Sequence, residues 1–248
     1  MVTVVNRPSA VAGGSQKNVY EQNGSHLGAA MRVWHFVNEQ YGLENIRRRR
    51  LKIATLNELN DPFDFLGVNL GDDNLRRAFR VMKDELAQNR GILCFSRDWT
   101  NPVQWSHYAD KHKGLCLGFE IPDELLGAVS YSRKRLVVET EALRSPRALP
   151  PDIVTKLLFT KYSHWRYENE VRCFVNLDER DADSGLYFAD FADNLELSAV
   201  VVGAQSSVSR KDLSLALGDL QKSVKTVKAR LAFSTFKVVQ QRKAVLWP

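Results

Sequence analysis

The feature that most constrains the fold is a series of short apolar runs, rich in β-branched and aromatic residues, with helical segments spaced irregularly among them. Such runs are typical of strands, and they occupy residues 31–37, 51–56, 91–96, 114–121, 170–177, 185–191, 197–204 and 235–241. Apolar residues at helical spacing occupy residues 39–49, 72–90, 152–165 and 209–225. Because strands and helices do not alternate regularly, this pattern predicts an α+β fold with a strand-rich middle and not a doubly wound parallel sheet.

Several residues predict where these elements begin and end. Asn38 is placed to cap the first helix, Gly91 to stop the second, and Pro62 to break regular structure after the second strand. Residues 128–132 and 135–139 are weaker strand candidates.

The length of 248 residues suits one well-buried core. Residues 1–30 have no apolar periodicity and many small polar residues, so we expect a flexible N-terminal arm and a single domain over residues 31–248. No run approaches the roughly 20 apolar residues that cross a bilayer, and the N-terminus has no signal-peptide pattern. We therefore expect a cytoplasmic protein without a membrane partner.

Lys and Arg number 35 against 29 acidic residues, a net charge of +6. This excess is compatible with a phosphate-bearing ligand or a nucleic-acid partner, but it is too dispersed for a dedicated DNA-binding domain. The densest cluster, Arg47–Arg50, follows a predicted helix, where cations complement the helix dipole. Cys94, Cys116 and Cys173 each lie in an apolar strand-like run and indicate neither a disulfide framework nor a zinc site.

Common nucleotide-binding and hydrolase motifs are missing from the sequence. No G-x-G-x-x-G follows a strand, no Walker loop is present, and GAQSS does not match G-x-S-x-G. Any nucleotide must therefore be held in another way.

The stretch WSHYADKHKG, residues 105–114, puts two histidines, two aromatic residues and two lysines into ten positions directly after a predicted strand. If it is helical, Trp105, Tyr108 and His112 share one face. That face is either packed into the core or part of the wall of a site, and the sequence leaves both interpretations open.

Two carboxylates, Glu168 and Glu170, stand two residues apart at the start of a predicted strand and face the same side. They repel each other unless cations or a substrate lie between them. Arg166 and Arg172 share their phase, so an exposed salt-bridged edge accounts for the four residues nearly as well as a site does. His35, in the middle of an apolar strand, is either a satisfied core histidine or a residue near a cleft.

A metal site is a competing interpretation of the histidines and the acidic pair. His107 and His112 are five residues apart, about 140° around a helix, and do not converge as the histidines of H-E-x-x-H do. We therefore predict no metal ligands.

Three blocks of the sequence resemble an uncharacterised bacterial family, some members of which occur with abortive-infection or phage-defence functions. The blocks are F-N-D-P-F, present here as LNDPF with Leu59 in place of Phe, W-S-H-Y-A-D-x-H-x-G, and W-x-Y-E-x-E-x-R. The resemblance spans roughly residues 32–205. It implies a defence effector and leaves room for an antitoxin partner.

The order of the motifs is also similar to that of ADP-ribosyltransferases of the His-Tyr-Glu type, which include toxins that modify DNA bases. The matching residues here are His35 on an early strand, Tyr108 after a strand that ends in Ser96, and Glu170 at the start of a later strand. The resemblance implies an ADP-ribosyltransferase-like domain with a central split sheet flanked by helices. It also implies NAD as the substrate that supplies ADP-ribose.

That resemblance implies a role for each residue, because the glycosidic bond of NAD breaks through an oxocarbenium-like centre. Tyr108, together with Trp105, would stack on the cationic nicotinamide ring. Glu170 would bond the ribose and stabilise the developing positive charge, and His35 would bind the adenosine-side ribose. The expected donors to the diphosphate are Arg32, Lys52 or Arg47–Arg50.

Glu168 is expected either to orient the acceptor or to pair with an arginine, and His107 is expected to orient the acceptor. Since Glu168 and Glu170 face the same side, their roles exchange if the alignment with the His-Tyr-Glu family is shifted by two residues along the strand. The segment NDPFDF is expected to form a rigid loop over the pocket, with Asn60 and Asp61 fixing a turn.

The leading hypothesis is a mono-ADP-ribosyltransferase-like defence toxin that transfers ADP-ribose from NAD to a macromolecule. The basic charge slightly favours DNA or RNA over protein as the acceptor. Two alternatives stay open. One is a non-catalytic domain that binds a nucleotide or nucleic acid as a sensor, and the other is a metal-dependent nuclease built on the acidic pair and the histidines.

Overall fold

A large curled sheet flanked by helices organises the chain. The computed structural model describes residues 29–138 and 149–247. Its strands are β1 (Ala30–Val37), β2 (Arg50–Thr55), β3 (Arg90–Ser96), β4 (Leu115–Pro122), β5 (Gly127–Ala128), β6 (Ser130–Ser132), β7 (Thr160–Tyr162), β8 (Glu170–Asn176), β9 (Tyr187–Asp190), β10 (Glu196–Val202), β11 (Lys225–Leu231) and β12 (Val238–Gln240). Its α-helices are α1 (Glu39–Arg48), α2 (Asp73–Asn89), α3 (Pro102–Tyr108), α4 (Pro151–Leu158) and α5 (Arg210–Leu217).

The main sheet follows the order β12-β11-β10-β4-β1-β3-β2-β9, and β8 lies beside β3 with the short β5 on its far side. Its pairings are antiparallel except for that of β10 with β11. β6 and β7 form a separate parallel pair. A mainly antiparallel sheet covered by helices confirms the predicted strand-rich α+β class and the single domain.

The main sheet opens between β1 and β3. In the described part, these two strands pair at one register position, Trp34 with Ser96. On one edge, β3 pairs with β8 along its whole length. On the other edge, which faces β1, residues 91 and 92 pair with β2. Residues 93–95 therefore have no strand partner on that edge, which leaves room for side chains between the strands.

Helix α1 begins and ends as its sequence predicts. The Asn38 side chain accepts from the backbone N–H of Tyr41 at 2.8 Å, which satisfies one of the free donors of the first turn. Arg49 ends the helix in the left-handed conformation, and its guanidinium donates to the carbonyls of Ile46 and Leu217. Arg49 thus binds a carbonyl at the helix end, as the dipole argument predicts, whereas Arg48 pairs with Glu44 and Arg50 with Asp181.

The helix predicted over residues 152–165 is too long. It ends at Leu158, and Thr160–Tyr162 form β7, because pairing with β6 and the burial of Thr160 and Lys161 outweigh the helical pattern. A 3₁₀ segment, Ser163–Glu168, then leads into β8.

Two further boundaries differ from prediction. The helix predicted over residues 209–225 ends at Leu217, because the next residue, Gly218, adopts a positive φ of 52°. The strand β11, which begins at Lys225, is not revealed by the sequence pattern. α2 ends at Asn89, and Gly91 lies inside β3, where a Cβ atom would collide with the side chain of Ile53. Gly91 therefore serves close packing of β2 on β3 and not the termination of a helix.

Several sequence expectations fall at the edges of the described structure. Residues 1–28, which are most of the predicted arm, lie outside it. The strand candidate 135–139 lies partly outside it, and within the described part its residue Leu136 forms one β-bridge to Val68. All three cysteines are free thiols in strands. No helix within residues 29–138 or 149–247 is long and apolar enough to cross a membrane.

Candidate functional site

A cavity of about 130 Å³ lies where β1 and β3 part. Four residues singled out in the sequence line it together, namely His35, Tyr108, Glu168 and Glu170. The remaining wall positions come from β1 (34 and 36), β3 (94–96), the loop of residues 59–65 (59, 60 and 64), α3 (104) and β7 (161). Residues that are distant in the chain therefore meet at one opening in the sheet. We call residues 59–65 the Asp-Pro loop.

His35 bridges the opening between the strands. Its Nδ1 lies 3.1 Å from the backbone carbonyl of Cys94 on β3. Since a carbonyl can only accept, this bond puts the proton on Nδ1 and leaves Nε2 as an acceptor in the neutral ring. Burial lowers the pKa of His35 and outweighs the raising effect of the bond to Cys94. The ring is therefore neutral at pH 7, with one nitrogen anchored.

This lowered pKa predicts that His35 destabilises the fold in acid. Below a pH of about 6.5 the unfolded chain binds a proton that folded His35 does not, so stability falls as the pH falls. We expect the free energy of unfolding of wild type relative to His35→Gln to decrease between pH 7.5 and 5.5, by at most about 1.4 kcal/mol per pH unit. Urea unfolding at both pH values measures this, and a difference independent of pH would contradict it.

The stretch after β3 is both packed in the core and part of the cavity wall. Asn101 caps α3 by accepting from the backbone N–H of Val103 at 2.9 Å. Trp105 is fully buried and donates to the carbonyl of Trp99 at 2.6 Å, whereas Tyr108 reaches the cavity. Trp105 therefore does not line the cavity, and the aromatic wall beside Tyr108 comes from Trp34 and other residues of β1 and β3.

His112 contacts Trp105, but the two residues do not share a face of one helix as predicted. α3 ends at Tyr108, and Asp110, Lys111 and His112 all have positive φ. The chain thus turns back, and the His112 ring stacks on Trp105 with centroids 6.2 Å apart and an interplanar angle of 12°. His112 supports the helix from outside the cavity.

A short chain of hydrogen bonds connects the Asp-Pro loop to Glu168. Tyr108 donates its hydroxyl proton to Oε1 of Glu168 at 2.5 Å and accepts from Nδ2 of Asn60 at 2.7 Å. Burial, followed by the adjoining Glu168 carboxylate, raises the pKa of Tyr108, so the phenol stays protonated. The side chain of Asp61 accepts from the backbone N–H of Phe63 at 2.9 Å, which confirms the predicted turn.

Arg172 is fully buried and holds two carboxylates through paired hydrogen bonds. Its Nε and Nη2 donate to Glu170 at 2.6 and 3.1 Å, and its Nη1 and Nη2 donate to Asp64 at 2.9 and 2.7 Å. Such paired, charge-assisted bonds are strong and directional. Burial raises the pKa of Glu170, but Arg172 and Lys161 together outweigh burial and lower it, so Glu170 stays ionised.

Lys161 is a second buried cation and touches all three acids. Its Nζ lies 2.7 Å from Glu168, 3.2 Å from Glu170 and 3.6 Å from Asp64. Burial lowers the pKa of Lys161, but Glu170 and Glu168 outweigh burial and raise it, so the amine stays charged. Burial raises the pKa of Glu168 in spite of Lys161 and Tyr108. The pKa values of Glu168 and Glu170 thus shift in opposite directions, a pattern typical of paired carboxylates with different roles.

The exposed salt-bridged edge proposed for these acids is wrong. Glu168, Glu170 and Arg172 are 6%, 4% and 0% exposed, whereas Arg166 is exposed and takes no part in the cluster. The two glutamate side chains do lie close together, but not because both belong to one strand and point to the same side of it. Glu168 ends the 3₁₀ segment, and Asn169 turns the chain in the left-handed conformation (φ 45°) before β8 begins.

Several other predicted site residues lie away from the cavity. Arg32 is paired with Glu120 at 2.5 Å and Lys52 with Glu58 at 2.8 Å. His107 is exposed, and its Nδ1 lies 3.0 Å from the hydroxyl of Tyr167. Neither these three residues nor Arg47–Arg50 belong to the cavity wall.

Asp64 and Lys161 are the site residues that sequence reasoning missed. Asp64 lies in the segment NDPFDF, and Lys161 lies four residues before the first residue of the W-x-Y-E-x-E-x-R block, so each is close to a recognised motif. A lone Lys or Asp is usually exposed, and only long-range packing reveals that these two are buried. The three acids hold Lys161 and Arg172 between them, and no group of three or more His, Cys, Asp or Glu residues in the described ranges is arranged to bind a metal ion.

The side chains of the cavity thus combine a neutral anchored histidine, aromatic walls and two unequal carboxylates. Comparison of the chain with protein-family models, with curated proteins and with solved structures finds no match in any of the three.

Proposed function

We propose that the protein is a mono-ADP-ribosyltransferase-like enzyme that binds NAD with its nicotinamide end in the cavity between β1 and β3. The observation that carries this proposal is the meeting of His35, Tyr108 and two carboxylates at the opening between β1 and β3. A carboxylate can stabilise the oxocarbenium-like centre and an aromatic ring can hold the cationic nicotinamide, and the resemblance to ADP-ribosyltransferases of the His-Tyr-Glu type adds the histidine.

The size and walls of the cavity favour a single ring. An apolar cavity of roughly 150 Å³ holds one benzene ring, and this one measures about 130 Å³. Trp34, Phe36 and Tyr108 contribute aromatic surface on which a cationic ring can stack. The ribose attached to this ring would lie against the cavity wall, and the rest of NAD would extend outward.

His35 suits a hydrogen bond to a ribose. Because its Nδ1 is bound to the Cys94 carbonyl, its Nε2 is an acceptor that a ribose hydroxyl can use without reorganising the ring. In this role His35 positions the substrate and does not transfer a proton.

The two carboxylates have unequal access to a ligand. Both oxygens of Glu170 are held by buried cations, so contact with a ribose would cost charge-assisted bonds. Oε1 of Glu168 accepts from the neutral phenol of Tyr108, a bond that a ribose hydroxyl can replace at little cost. Glu168 therefore takes the ligand-contacting role that the family resemblance gives to Glu170, and Glu170 holds Arg172 and Lys161 in place.

The charge of the cluster suits a cationic transition state. Asp64, Glu168 and Glu170 face Lys161 and Arg172, so one negative charge is unbalanced when all are ionised. During transfer the bond from the ribose to nicotinamide breaks and its electrons leave with nicotinamide. A nucleophilic nitrogen or oxygen of the acceptor then bonds the anomeric carbon and releases its proton. A buried negative charge lowers the energy of the oxocarbenium-like centre between these steps.

Labelled NAD tests this proposal. Wild-type protein, incubated with NAD labelled in its adenylate part, is expected to release nicotinamide and to pass the label to a macromolecule, in the presence of DNA, RNA or extract protein. His35→Gln should raise KM more than it lowers kcat, because the ring positions the substrate. Absence of both NAD binding and nicotinamide release with every acceptor present would overturn the proposal.

A second candidate is a sensor that binds a nucleotide without turning it over. One observation favours it, the saturation of Glu170 by Arg172 and Lys161. A sensor would bind NAD and release no nicotinamide, so the same measurement separates the two. A role in phage defence, with an antitoxin that restrains the enzyme, is proposed on the family resemblance only.

A further inference from the structure

A second and larger cavity, of about 380 Å³, shares Lys161 with the first. We call it the basic groove. Its walls come from the Asp-Pro loop and the residues after it (63, 66 and 67), from β6 and the turn that follows (132–135), and from β7 (160–162). The Asp-Pro loop thus contributes to both cavities, and a molecule in the groove lies next to the proposed NAD site.

Three consecutive cations line the groove: Arg133, Lys134 and Arg135. All are exposed, and none forms an ion pair with a carboxylate in the part of the chain that the structure describes. The turn that carries them is held at both ends. The Ser132 hydroxyl donates to the carbonyl of Lys134 at 2.6 Å, and Leu136 donates its N–H to the carbonyl of Gly67 at 2.6 Å.

Two exposed aromatic rings flank these cations. Phe63 is 54% exposed and Tyr162 is 46% exposed. The Arg135 guanidinium lies 5.5 Å from the centre of the Phe63 ring, and Tyr162 stacks on His164 with centroids 4.6 Å apart and an interplanar angle of 16°. Cations beside exposed aromatic rings are the combination that binds single-stranded nucleic acid, because phosphates meet the cations and bases stack on the rings.

We propose that the basic groove binds single-stranded nucleic acid and presents it as the acceptor of ADP-ribose. Only the acceptor role in this inference rests on the proposed function. Binding of nucleic acid in the groove does not depend on NAD. A single strand fits better than a duplex, since the faces of its bases are open to Phe63 and Tyr162. The net charge of +6 favours the same partner.

The test compares two triple variants of the full chain that change the net charge equally. One replaces Arg133, Lys134 and Arg135 of the groove by Glu, and the other replaces the exposed Lys211, Lys222 and Lys225 by Glu. Fluorescence anisotropy measures the affinity for single-stranded DNA and RNA oligonucleotides over a salt series, and calorimetry measures the affinity for NAD. Thermal unfolding checks that both variants fold.

The groove variant is expected to bind oligonucleotides about tenfold more weakly or worse, with a salt slope smaller by about two, while the control variant keeps most of its affinity. Phe63→Ala should weaken binding by roughly tenfold without changing the salt slope, because it removes stacking only. Affinity for NAD should stay unchanged in the groove variant.

Four results would overturn this inference, and the first three are no oligonucleotide binding by wild type, equal loss in both triple variants, and equally tight binding of polyglutamate. Loss of NAD affinity in the groove variant would overturn it too, because the cations would then hold the diphosphate of NAD. If wild type binds oligonucleotides through the groove and fails to bind NAD, the groove stands as a binding site and the proposed transferase activity falls.

Discussion

Glu168→Gln is expected to reduce nicotinamide release by about 10²- to 10³-fold in kcat, with the affinity for NAD nearly unchanged. The amide keeps the shape of the side chain and its bond to Tyr108 but removes the negative charge that we place beside the ribose. Because that charge acts mainly on the oxocarbenium-like centre, its loss lowers kcat and leaves ground-state binding largely intact. Single-turnover release of labelled nicotinamide measures the effect.

Glu170→Gln is the comparison that gives this experiment its meaning. Glu170 holds Arg172 through two bonds, so its neutralisation should reduce the free energy of unfolding as well as turnover. Glu120→Gln, which removes an acid paired with the exposed Arg32, controls for a change of charge elsewhere. If Glu168→Gln keeps full turnover and a stably folded Glu170→Gln loses it, Glu170 is the residue that contacts the ribose. That outcome would contradict our assignment and agree with the role that the family resemblance gives to Glu170.

Arg172→Met is expected to destabilise the fold by about 3–5 kcal/mol at pH 7. It removes a fully buried guanidinium and leaves Asp64 and Glu170 without their paired donors, while Lys161 alone faces three acids. Arg172→Lys keeps the charge but cannot reproduce the paired bonds, so a smaller loss is expected. Urea unfolding gives the free energies, with Arg166→Met as the exposed control, for which a change within about 0.5 kcal/mol is expected.

The destabilisation by Arg172→Met should become smaller as the pH falls from 7 to 5. With Lys161 as the one cation among three buried acids, the neutral form of a carboxylate is favoured, which raises its folded-state pKa above the unfolded value. Groups of that kind contribute more stability at low pH, because the folded variant binds protons that the unfolded chain does not. A loss of stability independent of pH would mean that packing, and not the unpaired charges, is what Arg172 supplies.

The candidate site was partly readable from the sequence. His35, Tyr108, Glu168 and Glu170 were singled out because a histidine in an apolar strand, ring side chains after a strand and two acids in phase are each unusual. All four line one cavity. Trp105 satisfied the same pattern and is instead a core residue, since its indole N–H has a backbone partner inside the protein.

Other parts of the site had no local signal. The pairing of Arg172 with Asp64 joins residues 108 positions apart, and Lys161 falls in a predicted helix but lies in the strand β7. Periodicity reports which face of an element is apolar, but not which distant element covers it. Buried charges are therefore recognised only when their partners are in place.

The sequence alone determined the class of the fold, the positions of most strands, the N-terminal cap of α1, and the turn of the Asp-Pro loop, because these depend on local propensity and hydrogen bonds within a few residues. Only the tertiary structure decided that β1 and β3 separate after one pairing, that the acids bury two cations between them, and that a basic groove adjoins the cavity. Those features depend on contacts between distant segments, whose energies no local pattern contains.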